Sequence, residues 1–334
     1  MNKEQLIIKI KRLFIKKGKR TDTVIIFDSA MDTQNKGDEI IMLYCGKIIE
    51  QIWGEVPQKR ITFHKSPSEE ETTGLANYKY KILCGTNVLS PNVEYFCAFK
   101  TSRNLDQYHD ICLLGVGWGM YSDNISRQSK DFYRCILSKQ WLHSVRDRYT
   151  EQKLKEMGYN NVLFTAWPTM WNLTSELCDK IPKQKSEQVV FSITDYDQNE
   201  KCDNKMIKII ERNYGKIYFW AQGQEDIKYL KKLNVEKDIV VINKLEEYTE
   251  LLKGGNIDYI GTRLHAGIHA LNQKIRTIIV AIDNRAEEMG KDTNLPIILR
   301  EDIGNLENMI NTEWKTEIVI PNENINKWKA QFQR

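Results

Sequence analysis

The chain has no apolar run of the length a bilayer-spanning helix needs, so no segment reads as transmembrane. It has no C-x-x-C pair and no Cys/His cluster at zinc spacing. Cys45, Cys84, Cys97, Cys112, Cys135, Cys178 and Cys202 stand singly, which excludes a patterned disulfide framework and predicts reduced thiols and no metal. The glycine triplet of a dinucleotide-binding turn is missing as well. So is any large excess of charge: 49 Lys and Arg against 45 Asp and Glu leave +4, too little to argue for nucleic acid. The first twenty residues carry charge but no signal-peptide core with a small-residue cleavage site, and a cytoplasmic location is expected.

What is present is an ordinary globular composition, 41% hydrophobic and 28% charged over 334 residues, a length that predicts two domains. Charge is concentrated only at the start, where Lys9, Lys11, Arg12, Lys16, Lys17, Lys19 and Arg20 surround Ile7, Ile10 and Phe14 at helical spacing. That is a basic amphipathic helix, suited either to anionic lipid at the inner membrane face or to packing on the first domain with its cations in water.

Short apolar runs alternate with longer amphipathic ones. Strands are predicted at 24–27, 61–63, 81–83, 111–114, 142–146 and 161–165, with helices at 38–53, 131–138 and 151–157. A polar stretch at 179–188 reads as a linker. The alternation then restarts: strands at 189–193, 216–220, 239–242, 259–260 and 277–282, and helices at 204–213, 225–233, 245–252 and from Arg263. This predicts an α/β protein of two facing Rossmann-like domains, 1–181 and 188–334, with ligand in a central cleft and the last helix a candidate to return to the first domain.

The most informative stretch runs from Ile257 to Leu271, where an apolar strand ends in Gly261-Thr262 and a helix opens with Arg263-Leu264-His265. The unpaired N–H groups of a first helical turn favour an anion, Arg263 adds a planar fork of donors, and His265 can transfer a proton near neutral pH. An anionic substrate and an acid catalyst are therefore expected together. The structural alternative is a solvated arginine and a core histidine.

Three further loops follow strands. Asn35, Asp38 and Glu39 open the first helix and suit sugar hydroxyls, although an acid at a helix start also serves as a cap. Gly85 and Gly115 to Gly119 would let backbone approach a ligand. Arg146, in Ser144-Val145-Arg146-Asp147-Arg148, would complete an anion clamp across the cleft or pair with Asp147.

Taken together, Asn35-x-Gly37-Asp38-Glu39, the Gly85 loop, Ser144-Val145-Arg146-Asp147 with Leu154 and Gly158, and Thr262-Arg263-Leu264-His265 with Gly267 and Ala270 resemble the polysaccharide pyruvyl transferase family. The resemblance spans most of the chain. It departs at Trp167-Pro168 and at Asp283-Asn284-Arg285, where lysine is commoner. It implies a GT-B-like fold, phosphoenolpyruvate as donor and substrate rather than cofactor, and a hydroxyl pair of a hexose as acceptor, on a lipid-linked glycan precursor of a cell-surface polysaccharide or capsule. By the same resemblance Arg263 and Leu264 hold the donor with Arg146 (or its neighbour Arg148), His265 is the acid, and Asp38 is a base or hydroxyl anchor beside Asn35 and Glu39. Two other readings share the fold: a glycosyltransferase using a nucleotide sugar, and a non-catalytic sugar-binding protein.

Overall fold

The computed structural model describes residues 21–333. The basic N-terminal stretch expected to form an amphipathic helix lies outside the described residues. The described chain divides into two compact units, one of residues 21–33, 44–168 and 322–333, the other of residues 34–43 and 169–321.

In the first unit β1 (Thr21–Asp28), β2 (Gln58–Thr62), β3 (Tyr78–Cys84) and β5 (Ile111–Leu114) form a parallel sheet in the order β2-β1-β3-β5. Val24, Ile25, Ile26 and Phe27 of β1 are all fully buried, as expected for a parallel strand covered on both faces. β4 (Asn87–Leu89) pairs with β6 (Gly117–Trp118), and β7 (His143–Val145) with β8 (Val162–Phe164). A bond from Gly115 N–H to the Ser144 carbonyl (3.0 Å) and a Val116–Val145 bridge tie β7 to the end of β5. The unit's longer helices include the part of α1 (Lys36–Trp53) from Tyr44 onward, α2 (Arg127–Ile136) and α3 (Arg148–Glu156). α2 starts four residues before the sequence pattern suggests because the Ser126 hydroxyl accepts from Ser129 N–H and caps it there.

The second unit holds a six-stranded sheet of β9 (Gln188–Ser192), β10 (Lys216–Trp220), β11 (Ile239–Ile242), β12 (Ile257–Gly261), β13 (Thr277–Ala281) and β14 (Ile297–Leu299). Its order is β11-β10-β9-β12-β13-β14 and every pairing is parallel. Both units are thus the Rossmann-like α/β folds that the alternation predicts. The connecting helices are α4 (Glu200–Asn213), α5 (Gln224–Leu230), α6 (Leu245–Lys253), α7 (Leu264–Asn272) and α8 (Asn284–Thr293), with α9 (Leu306–Asn311) after β14. Strand order turns back at β9, so the carboxyl ends of β9 and β12 lie side by side, where an open α/β sheet presents its ligand site.

The bounds of the units differ from those expected, while the last helix groups with the first unit, as it was a candidate to do. The units meet in sequence at Pro168 and Thr169, upstream of the polar 179–188 stretch, because residues 169–181 pack with the second unit. Residues 322–333, including α10 (Asn322–Ala330), group with the first: Asn324 donates to the Phe164 carbonyl (2.9 Å) and Gln331 to that of Leu142 (3.0 Å). Residues 34–43, expected on the first domain, group with the second.

Among the described residues no helix is long and apolar enough to cross a membrane. No disulfide joins any of the seven cysteines.

Candidate functional site

β12 delivers Arg263 at the switch point as the residue that caps α7. Its backbone is pinned on both sides. The N–H donates to Ser192 Oγ (3.2 Å), and the carbonyl accepts from Tyr259 Oη (2.7 Å) and from Gly267 N–H (3.1 Å). Thr262 is stitched to the end of β9 by its N–H to the Ser192 carbonyl (3.1 Å) and by a 2.8 Å contact with Thr194 Oγ1.

The Arg263 side chain is 5% exposed, and its Nε and Nη2 are both engaged. Nε donates to the Ile193 carbonyl (3.2 Å) and Asp226 Oδ2 (3.2 Å), and Nη2 donates to Asp226 Oδ1 and Asp195 Oδ1. Asp226, with no exposed side-chain surface, also accepts from the backbone N–H groups of Asp195 (3.1 Å), Gln222 (3.0 Å) and Gly223 (3.1 Å). Burial pushes the Asp226 carboxyl up even with Arg263 beside it. Burial by itself would lower Arg263, but Asp226 outweighs that and holds the guanidinium firmly charged. The arginine is a fixed cation with a fixed orientation, as the anion-site reading requires, although two carboxylates already meet it.

Leu264 and His265 are the first two residues of α7, and His265 is 8% exposed. The helix can lie this close to the sheet because Gly267 faces it. A Cβ there would stand 2.6 Å from Ile279 Cγ1 and 2.9 Å from the Tyr259 ring. Tyr259 thus touches the helix seat with its ring and holds the Arg263 carbonyl with its hydroxyl.

The residues expected to meet the sugar gather at the start of α1. Asn35 Oδ1 accepts from Gly37 N–H (3.1 Å) and from Gln222 Nε2 (2.8 Å), Asn35 Nδ2 donates to Asp38 Oδ2 (3.2 Å), and Lys36 N–H donates to the Gln222 carbonyl (3.0 Å). Asp38 is buried, whereas the more open Glu39 pairs with Lys36 at 2.7 Å. Gln222 N–H in turn donates to Asp226, so one chain of hydrogen bonds runs from Asn35 through Gln222 and Asp226 to Arg263.

Arg146, in the first unit, has no exposed surface. Its Nε donates to Asp147 Oδ2 (2.6 Å), its Nη2 to the Trp118 carbonyl (2.8 Å), and its guanidinium lies 5.0 Å from the centre of the Trp167 ring. The other Asp147 oxygen caps α3 through Thr150 N–H (2.6 Å). The pair with Asp147, one of the two expected readings of Arg146, is present. Arg148 is exposed and lies over the Phe164 ring (4.9 Å).

Asp226, Gln222, Asp195 and Tyr196 were not singled out by the sequence. Asp226 reads there as a routine acid in the first turn of a helix, and only the fold brings it to Arg263.

Several solved structures are similar to the chain, all at low identity. The S. aureus MnaA–UDP complex is 11% identical, with a TM-score of 0.47 and coverage of 89% of this chain and 92% of that one. The UDP-GlcNAc 2-epimerase from Methanocaldococcus jannaschii is 13% identical, with a TM-score of 0.46 and coverage of 88% and 94%. The E. coli heptosyltransferase WaaC with ADP-2-deoxy-2-fluoro heptose is 12% identical, with a TM-score of 0.35 and coverage of 77% and 88%. No curated protein matches the chain. The model of one family, polysaccharide pyruvyl transferase, matches residues 35–284, a segment that includes the Asn35 loop, Arg146, Asp226 and the Arg263-Leu264-His265 turn. The chain belongs to the polysaccharide pyruvyl transferase family.

Proposed function

We propose that the protein transfers a pyruvyl group from phosphoenolpyruvate to two hydroxyls of a hexose in a glycan precursor, closing a cyclic ketal and releasing phosphate. The observation that carries this reading is the Arg263-Leu264-His265 turn: a charged, buried, oriented guanidinium and an imidazole two residues apart at one helix start, at the sheet's switch point.

In this mechanism Arg263 and the first N–H groups of α7 hold the donor anion. His265 gives a proton to the methylene carbon, which becomes a methyl group, and cationic character develops on the adjacent carbon. One sugar hydroxyl attacks that carbon, its bond to the phosphate oxygen breaks, and the second hydroxyl closes the ring. The acceptor loses two protons; one replaces the proton His265 gave, and the other leaves with phosphate. Asp38 would anchor or deprotonate the acceptor, with Asn35 as a further anchor. Arg146 is left out of the donor-holding set in this mechanism, because its Nε and Nη2 already serve Asp147 and the Trp118 carbonyl.

The test is thermal stabilisation by phosphoenolpyruvate and by several nucleotide sugars, since a ligand that binds only the folded state raises the melting temperature. We expect stabilisation by phosphoenolpyruvate, and His265→Gln should keep it while losing phosphate release. Stabilisation by nucleotide sugars alone, or full turnover by His265→Gln, would overturn the proposal.

A further inference from the structure

α4 of the second unit carries its cations on one line. Lys201, Lys205, Lys208 and Arg212 recur at helical spacing, which places them within an arc of about 60° and in a row about 16 Å long. The acids of the same helix do not neutralise this row. Asp203 lies on the opposite side, 2% exposed, and accepts from Tyr229 Oη (2.6 Å). Glu211 is buried as well and accepts from the N–H groups of Glu236 (2.7 Å) and Lys237 (2.8 Å), which fastens the loop before β11 to the helix. Glu200, in the first turn, forms no ion pair with the row.

Lys201, Lys205 and Lys208 are therefore exposed cations with no ion pair among the described residues. On other helices a glutamate one turn away answers the lysine, as in Lys155 with Glu151 (3.0 Å), Lys228 with Glu225 (2.5 Å) and Lys253 with Glu250 (2.7 Å). The row borders a groove of about 610 Å³ between α4 and the fastened loop, and Lys237 of that loop lines it too. Lys237 Nζ gives one bond to the Tyr214 carbonyl (2.9 Å), and Arg212 reaches Glu307 at 3.6 Å. The one exposed acid of the lining is Glu236.

We infer that this groove binds an acidic glycan chain, a polymer that carries carboxylates at intervals. A small anion would engage one or two of these cations, whereas a row about 16 Å long matches a series of charges on one extended ligand. Lysine suits that ligand: each ammonium is a compact charge on a flexible stem and can follow carboxylates whose spacing the protein does not set. The stems also give the groove apolar walls on which sugar rings can rest. A groove receives a chain along its length, and a flat bilayer does not enter it. That such a chain is at hand rests on the transferase reading above, because each ketal leaves a free carboxylate on the glycan and makes the product a polyanion.

The test is calorimetric titration of the whole protein at low salt with an oligogalacturonate long enough to span the row, with a neutral dextran fragment of equal length and with phosphatidylglycerol vesicles. The groove variant is Lys201→Gln/Lys205→Gln/Lys208→Gln. The control, Lys155→Gln/Lys228→Gln/Lys253→Gln, removes the same charge from paired lysines. The wild type should bind oligogalacturonate and not dextran, more weakly as salt rises. The groove variant should lose about tenfold in affinity, and the control should stay within about twofold. Phosphoenolpyruvate should stabilise the groove variant as it does the wild type, which also checks its folding. No binding of oligogalacturonate, an equal loss in both variants, or binding only to vesicles would overturn the inference and leave the transferase reading standing. If the oligogalacturonate pattern holds and phosphoenolpyruvate does not bind, the groove stands and the transferase reading falls.

Discussion

The Arg263 guanidinium and the Asp226 carboxylate pair where bulk water does not reach, and the same carboxylate gathers three backbone N–H groups from two loops. Deleting either partner therefore strands a buried charge. Arg263→Gln and Asp226→Asn should each cost about 3–5 kcal/mol, and the double variant clearly less than their sum, in a double-mutant cycle by urea unfolding. Additive losses would mean that the two groups do not depend on each other. Because of this coupling, lost activity in an Arg263 variant is informative only beside its stability.

Arg146 is expected to act on stability and not on the donor. Arg146→Gln leaves Asp147 with one partner fewer in a dry site and should lower unfolding free energy by about 3–5 kcal/mol. Phosphoenolpyruvate affinity, titrated at a temperature where the variant is folded, should stay within about twofold of wild type. The same substitution at exposed Arg148 should change stability by less than about 0.5 kcal/mol. A large affinity loss in Arg146→Gln with unchanged stability would return that residue to the donor site.

Two glycines are positions of close approach. Gly117 lies against the Arg146 guanidinium, where a Cβ would fall 2.3 Å from Cζ, and Gly267 lies against Ile279 and Tyr259. Gly117→Ala and Gly267→Ala should each destabilise by about 1–3 kcal/mol or more, as overpacking does. The second should also reduce turnover at temperatures where the protein is folded, because it lifts the helix that carries His265. Turnover equal to wild type in folded Gly267→Ala would separate helix seating from catalysis.

A pH dependence follows from His143 in β7. Its ring is fully buried, with Nδ1 accepting from Leu113 N–H (3.2 Å) and Nε2 donating to the Ser138 carbonyl (2.8 Å), so only the neutral form satisfies both contacts. Burial pushes its pKa from 6.5 down to about 4. The unfolded chain therefore takes up a proton that the folded chain refuses, and stability should fall as pH drops from about 6.5 to about 4, by on the order of 3 kcal/mol. Urea midpoints across this range for the wild type and His143→Gln would check it: the slope should flatten in the variant. An unchanged slope would assign the loss to other groups.

The fold was largely legible because parallel strands buried on both faces leave continuous apolar runs, as in Val24 to Phe27 and Lys216 to Trp220, the latter read with its observed bounds. β14 and α8 were missed for the opposite reason. Three residues after Pro296 give no period, and α8 buries only Ala286, Met289 and Thr293 among polar residues. The helix start at Arg263 was legible as local chemistry, whereas the partners that orient it were not. Asp226 reaches it from another strand's loop, and nothing in the spacing between the two encodes that meeting. For Arg146 the sequence left two roles open, and a burial that only the fold can reveal favours the structural one.

Neighbouring strands in a sheet lie about 4.8 Å apart, a distance fixed by backbone hydrogen bonds and indifferent to side chains. Arg263 and Arg285 stand at the ends of two such neighbours. The sheet therefore acts as a ruler: the separation between two charges is set by main-chain geometry, while the loops that bear them are free to vary in length and composition.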